Sequence, residues 1–542
     1  MAVEGIHHTL REDEMGSSNN DDLQAGMVSA ARDAALAGAE RIHDARREFL
    51  KLFGMGAAAA AGMGAIPFAG AVGDAVAATG SPAGSPYAPA FGFAPGLLYM
   101  NIGTTGASPT QVVQHAAADY QDIASNPTAY FFGQQAMRNA IAPGFGCDPY
   151  ELTLSFNTTD GLCRIIMGLQ FQPGDEIITT NMEEDAGKSA AAMVRDRFGV
   201  VVREVGLPTN DAVSENTVMK RFRDQLNRRT RAILFSSPVY LTGARLPEKD
   251  LCRWAARNGV ISIVDGAHGP GMLALDLHDM GCDFYSGAGH KWQCGPGQTG
   301  FMYIRNGFSA APYVRNAPTS DLAPFGVPSP TVPINVPGYS NTTALPTYFP
   351  TNTLIYGATP ILLNGSRNPD DNIAAILQLV GNGSRPSQKA LAEACQLWDG
   401  WGRQAIEEYV VALAQYLRAR IVDIWGPQAL SVPYKRNPKL AARTGLTSFN
   451  PFSAGYDYNA DLSAAEAQAQ ATASSAAVAT MRSAHQIVIR NNRVPHSLRS
   501  DPEANAAADA LSAPLRVSTH LFHSTADVDR LIAALLQVVP HP

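Results

Sequence analysis

The stretch from residue 151 to residue 265 limits the possible folds most. Short apolar and β-branched runs alternate there with longer segments of helical pattern. The runs are ELTLSF (151–156), DEIITT (175–180), VVREVGL (201–207), RAILFSS (231–237) and VISIVD (260–265). Helical patterns fill 160–170, 186–198 and 248–259 between them. Strands separated by helices predict an α/β fold built on a mostly parallel, doubly wound sheet. Sheets of this kind bind ligands outside the carboxyl ends of their strands. The positions to inspect therefore follow Phe156, Thr180, Ser237 and Val264.

The chain is 542 residues long, more than one core usually holds. We expect a large domain over 97–387, with an irregular Pro-, Asn- and Gly-rich excursion at 308–380. From about Gln388 a long connecting helix leads into a smaller C-terminal α/β domain, 388–542, that ends in a helix at 526–538. The Ala-rich run 461–485 reads as a helix. Residues 1–77 read as a leader and 78–96 as a linker. Within the leader, Arg46-Arg47 followed by Phe49-Leu50-Lys51 and a weakly apolar Ala/Gly stretch resembles a twin-arginine export signal. That implies export machinery as a partner and a periplasmic or secreted location. The Ala/Gly composition makes the stretch a poor permanent membrane span. A net charge of −7 gives no electrostatic footprint for nucleic acid. The six cysteines have neither metal-ligand nor dense disulfide spacing, so no metal site is expected.

Chemistry concentrates in VISIVDGAHGPGMLALDLHDMGCDFYSGAGHKWQCGPGQTGFMYIR (260–305). Asp265 ends an apolar strand, His268 follows three residues later, and Lys291 follows a turn-rich SGAGH. A strand-terminal Asp, a lone His or a lone Lys would each usually be unremarkable. Their order, closed by a Gly-rich turn into another strand, is specific. This order resembles the class V aminotransferases, and within them the isopenicillin-N epimerase-like branch. The resemblance extends over residues 97–540 and implies a fold type I enzyme with pyridoxal 5′-phosphate (PLP) as cofactor.

The resemblance assigns roles one residue at a time. Lys291 would bond to the cofactor aldehyde, Asp265 would pair with the ring nitrogen, and His268 would lie over the ring or contact its phenolic oxygen. LYMNIGTTGASP (98–109) matches the opening strand and substrate-side loop. SFNTTDGL, opening the match over 155–180, puts Thr158 and Thr159 at the phosphate, with His290 as a second contact. Arg516, in PLRVSTHLFHSTADVDRLIAAL (514–535), would grip the substrate carboxylate. Ser384, in NGSRPSQ (382–388), would reach a neighbouring subunit's phosphate and imply a homodimer.

There are four departures from the pattern. Asp185 stands where the family carries a ring-stacking His. Tyr240 stands where relatives carry Asn near the ring oxygen. Ala288 replaces a phosphate-binding Ser, leaving Ser286 as the nearby hydroxyl. No Cys follows Cys395, so the persulfide relay of the desulfurases lacks its thiol. The expected function is an exported transferase or epimerase acting on an amino-acid-like small molecule, such as a secreted peptide or siderophore-like metabolite. The alternatives are a C–S or β-elimination lyase, and a binding protein that kept the fold and lost the chemistry.

Overall fold

The computed structural model describes residues 84–128, 134–169, 171–207, 209, 214–305, 377–378, 383–432, 439–460, 462–495 and 511–542. The leader with its arginine pair, and the excursion at 308–380 apart from residues 377–378, lie outside them. The chain divides into two compact units. One is Met1–Ile66 with Phe131–Ala136, of which only residues 134–136, in a helical turn, are described. The other, Pro67–Tyr130 with Met137–Pro542, carries the strands and, apart from residues 134–136, the helices described below.

After a short strand β1 (Leu98–Tyr99) come β2 (Leu152–Ser155), β3 (Glu176–Thr180), β4 (Val201–Val205), β5 (Thr230–Ser236), β6 (Ile261–Gly266), β7 (Phe284–Ala288) and β8 (Gly300–Ile304). Strands β2 to β8 form one seven-stranded sheet in the order β2-β8-β7-β6-β5-β3-β4. The pairs β3–β4, β3–β5, β5–β6 and β6–β7 are parallel, while β8 runs antiparallel to β2 and β7. The mostly parallel sheet expected from the alternating pattern is therefore present.

The helices are α1 (Thr110–Ser125), α2 (Gln134–Ile141), α3 (Thr158–Gly168), α4 (Asp185–Phe198), α5 (Glu215–Gln225), α6 (Glu248–Arg257) and α7 (Leu277–Met280). Further on come α8 (Arg385–Trp401), α9 (Arg403–Trp425), α10 (Ala464–His485) and α11 (Thr525–Val538). Successive strand residues point to opposite faces. Ile178, Ile233, Val264 and Tyr285 accordingly enter one core. Their neighbours Ile177, Leu234, Ile263 and Phe284 enter a second core across the sheet. Each such buried side chain contributes about 1.5–3 kcal/mol. Burial on both faces explains why these strands read as continuous apolar runs.

The single connecting helix expected from about Gln388 is two helices. Gly402, at φ +89°, ends α8 and opens α9. Few residues other than glycine adopt that backbone region, so the chain turns there. The C-terminal part holds a three-stranded antiparallel sheet of β9 (Leu446–Phe449), β11 (Arg490–Asn491) and β12 (Leu515–Ser518), in the order β11-β12-β9. One element crosses the expected division at residue 387. Strand β1 pairs in parallel with β10 (Ile487–Val488), and Leu98 packs with Leu417, Trp425 and Leu515. The N-terminal strand thus brings the loop that follows it to the C-terminal sheet.

Candidate active site

A cavity of about 210 Å³ opens where the carboxyl ends of β5 and β6 meet the first turns of α3 and α4. Its lining includes Asn157, Thr158, Thr159, Asp265, His268 and Lys291.

Strand β6 is central in the sheet and delivers Asp265 to the floor of this cavity. Burial pushes its carboxyl up to about 6, opposed by the Ala267 N–H, which donates to Oδ1 at 3.0 Å, and by Lys291. Lys291 lies in the turn between β7 and β8, which backbone bonds pin from Gly289 N–H to Thr299 O (2.8 Å) and from Cys294 N–H to Lys291 O (3.0 Å). Burial lowers its ammonium to about 8, with Asp265 acting the other way. Lys291 is thus a largely desolvated group whose free-amine form, the one a nucleophile or proton carrier needs, is reached at far lower pH than for an exposed lysine.

The opening loop closes on this turn. Gly106 N–H donates to His290 O at 2.7 Å, and a methyl on Gly106 would sit 2.0 Å from the Lys291 carbonyl oxygen. Gly106→Ala should therefore cost about 1–3 kcal/mol of stability through overpacking and displace Lys291. Thermal unfolding against Gly84→Ala, where nothing lies within 4 Å, checks this. Equal melting temperatures for the two variants would contradict it.

Helix α3 points its N-terminus at the cavity. Asn157 caps it by accepting the Asp160 N–H at 2.8 Å, which leaves the first-turn amides of Thr158 and Thr159 facing the same space. The Thr158 hydroxyl is buried with no partner among the described residues. Free donors at a helix N-terminus make an anion cradle. His290 lines the same cavity, and its Nδ1 donates to Thr299 O at 3.3 Å. Burial lowers its pKa, so it can donate from Nε2 only when an anion stabilises the imidazolium.

Strand β12 carries Arg516, which is fully buried and meets no carboxylate among the described residues. Its Nη1 donates to the Tyr240 carbonyl (3.0 Å) and its Nη2 to Thr104 Oγ1 (3.3 Å), while Nε has no partner among the described residues. Burial pulls the guanidinium down to about 9. A buried cation without a counter-charge is costly, and an incoming carboxylate would offset that cost.

Of the sequence-derived site residues, Lys291, Asp265, His268, His290, Thr158, Thr159 and Tyr240 line the one cavity, and Arg516 meets Tyr240 at its edge. Burial holds the Tyr240 hydroxyl neutral, with its pKa near 12. Asp185 is placed differently from the expectation. It is exposed in the first turn of α4, and the wall there is Glu184 and Ala186. Glu184 is the N-cap and accepts the Ala186 N–H at 2.8 Å. Ser384 does not line the cavity. It caps α8 and meets the Tyr120 hydroxyl at 2.6 Å. Ser286 donates to Thr158 O at 2.9 Å and so supports the α3 turn.

Two contributors carried no signal in the sequence. Arg490 pairs in register with Arg516, and its Nη1 also donates to Thr104 Oγ1 at 3.3 Å. The second is Glu183, buried beside Asp265. It accepts bonds from Thr180 Oγ1 (2.5 Å) and Ser236 Oγ (2.5 Å), and burial pushes its carboxyl up to about 7.

These groups fit PLP. They supply a carboxylate for a ring nitrogen, an amine for an aldehyde and a helix N-terminus for a phosphate. Residues 98–312 match the family model for class V aminotransferases. Solved structures share the architecture. A C-DES variant with glycine covalently linked to its PLP cofactor superposes with TM-score 0.55 at 21% identity, over 82% of this chain and 97% of that one. The cysteine desulfurase CsdA of Escherichia coli gives 0.56 at 17%, over 85% and 100%. The fold is that of the fold type I PLP enzymes. Among curated proteins, isopenicillin N epimerase of Streptomyces clavuligerus is 30% identical over 219 residues, 39% of this chain and 54% of that protein. A probable cysteine desulfurase of Pseudomonas aeruginosa is 28% identical over 223 residues, 39% and 54%. The chain therefore spans about half the length of the curated relatives it matches.

Proposed function

We propose that this chain is a PLP-dependent enzyme of the class V aminotransferase type, acting on the amino group and Cα of an amino-acid-like substrate as a transferase or epimerase. The observation that carries the reading is the meeting of Asp265, Lys291 and the α3 N-terminus in one cavity. Bound there, the cofactor would supply an electron sink for a carbanion at the substrate Cα.

The chain's own residues have separable tasks. Asp265 holds a negative charge against the ring nitrogen. Thr158 and Thr159 bind phosphate oxygens through N–H and O–H groups. Arg516, with Arg490 beside it, orients the substrate carboxylate. Lys291, as a free amine, takes and returns a proton at Cα.

A lyase reading has its own support, because relatives of similar identity include a hercynylcysteine sulfoxide lyase of Schizosaccharomyces pombe, 25% identical over 221 residues. A persulfide relay is disfavoured, since none of the six cysteines lines the cavity. Incubating the PLP-loaded enzyme with an amino-acid panel separates the reactions. A keto acid marks transamination, Cα–proton exchange with inversion marks epimerisation, and pyruvate with ammonia or sulfide marks elimination. The epimerase and transferase readings fail if only elimination products form.

Export to the periplasm or beyond belongs to the same proposal and rests on Arg46 and Arg47. Fusing residues 1–80 to a folded reporter should direct its export, and changing both arginines to lysine should stop it. Export unaffected by that change would overturn the twin-arginine reading. Pairing of two chains through the Ser384 loop is likewise proposed, and a monomer by light scattering would contradict it.

The ionisation of Asp265 also predicts a pH effect on the cofactor-free protein. Its folded-state pKa, about 6, is raised from 3.8, so the folded chain binds more protons than the unfolded chain between those values. The contribution is present below pH 3.8 and is lost as pH rises through 6. Relative to Asp265→Asn, wild-type stability should therefore fall by roughly 2 kcal/mol between pH 4 and 6. Parallel denaturation midpoints over that span would contradict the assignment.

A further inference from the structure

We propose that Trp292 is a positioning residue that locks His268 in a single tautomer, with its proton on Nε2, so that the cavity always meets an N–H donor at that position. The proposal deepens the cofactor-site reading and rests on it for its consequence, but its geometry stands alone.

Trp292 directly follows Lys291 and is completely buried. Its indole Nε1 lies 3.0 Å from His268 Nδ1. An indole nitrogen can only donate, so Nδ1 must accept. A neutral imidazole has one proton, which this bond leaves to Nε2. Protonating the ring would set an Nδ1–H against the indole N–H, two donors with no acceptor between them. The charges around His268 act the same way. Burial of the ring disfavours its cationic form, and Lys291, Arg516, Arg490 and His290 add to that effect.

The lock holds because neither ring can turn away. Gly445 is bare where the indole packs, and a methyl there would lie 2.8 Å from Trp292 Cζ3. The His520 ring stands against the indole at 5.3 Å between centroids and 66° between planes. His520 Nε2 also donates to the Trp292 carbonyl at 2.8 Å. A carbonyl only accepts, so His520 carries its proton on Nε2, and its buried Nδ1 has no partner among the described residues. On the other side, Gly103 lets the opening loop pass between His268 and Arg516. A methyl there would be 3.2 Å from His268 Cε1 and 3.1 Å from Arg516 Nη2. One residue therefore connects the backbone of Lys291 to the protonation state of His268. The consequence is a division of labour. His268 donates a hydrogen bond to an anionic oxygen in the cavity and does not act as the proton-accepting base, which leaves that task to Lys291.

Nitrogen NMR of histidine-labelled protein tests this, with His268 assigned by its loss in His268→Gln. In cofactor-free wild type we expect an unprotonated Nδ1 and a protonated Nε2 that persist from pH 5 to 8, the range in which a free histidine titrates. Adding PLP should shift Nε2 and leave Nδ1 in place. Trp292→Phe keeps an aromatic ring without the donor, and should lose the single-tautomer signature. A protonated Nδ1 in wild type overturns the proposal with no variant needed, as does a Trp292→Phe spectrum identical to wild type. Should the variant not fold, the wild-type tautomer and its pH dependence still decide. Absence of a visible PLP band would instead count against the cofactor reading and would leave the cofactor-free tautomer result standing.

Discussion

Lys291→Ala should abolish the visible absorption band that PLP acquires on this protein and lower turnover by about 10³-fold or more. The cofactor is expected to retain some affinity, because the α3 cradle and Asp265 do not depend on the lysine. Binding and chemistry therefore separate in this variant. General acid–base catalysis by one positioned group is worth about 10²- to 10⁴-fold, and loss of the covalent attachment adds to it. The pH sensitivity of the remaining wild-type activity follows from the amine. Burial brings Lys291 down to about 8. Its free-amine form therefore grows as pH rises towards and past 8, and rates limited by proton transfer from Cα should rise over that span. Stopped-flow measurement of Cα–deuterium exchange checks both statements. Exchange at wild-type rate in Lys291→Ala would contradict them.

Arg516→Gln should carry the second large effect. The guanidinium is buried and, among the described residues, has no carboxylate partner and no partner for Nε. Removing one member of a buried, hydrogen-bonded charge pair costs about 2–5 kcal/mol, roughly 30- to 5000-fold in kcat/KM. The loss should fall on amino acids and be small for the corresponding amines, which lack the carboxylate. Arg490→Gln should cost less, because Arg490 is only partly buried and shares the Thr104 hydroxyl with Arg516. Equal losses for amino acid and amine in Arg516→Gln would show a structural role in place of substrate recognition.

The sheet was legible because burial on both faces writes continuous apolar runs. VISIVD became β6, and the position after its fifth residue became the cavity floor. Asp265, His268 and Lys291 could be found because they lie within one segment of 260–305. Arg490 could not. It reaches the site through antiparallel pairing with a strand 26 positions later (516 − 490), and nothing local in RNNR announces that pairing. Asp185 lies outside the cavity lining for a reason that a linear motif does not show, since which residue takes the N-cap of α4 decides which side chains of that turn reach the cavity. Glu184 takes it, and the following side chain turns to solvent. The break at Gly402 was hidden for a similar reason, since helical periodicity continues on both sides of it and only the backbone angle shows the turn.

The central claim is that Lys291 holds PLP in the cavity beside Asp265. Borohydride reduction of the PLP-loaded protein, followed by peptide mass spectrometry, tests it most directly, because reduction fixes the cofactor to the lysine that carries it. The account predicts one modified peptide containing Lys291, and no modification of that peptide in Lys291→Ala. A cofactor fixed to another lysine, or no fixed cofactor after loading at saturating PLP, would contradict it.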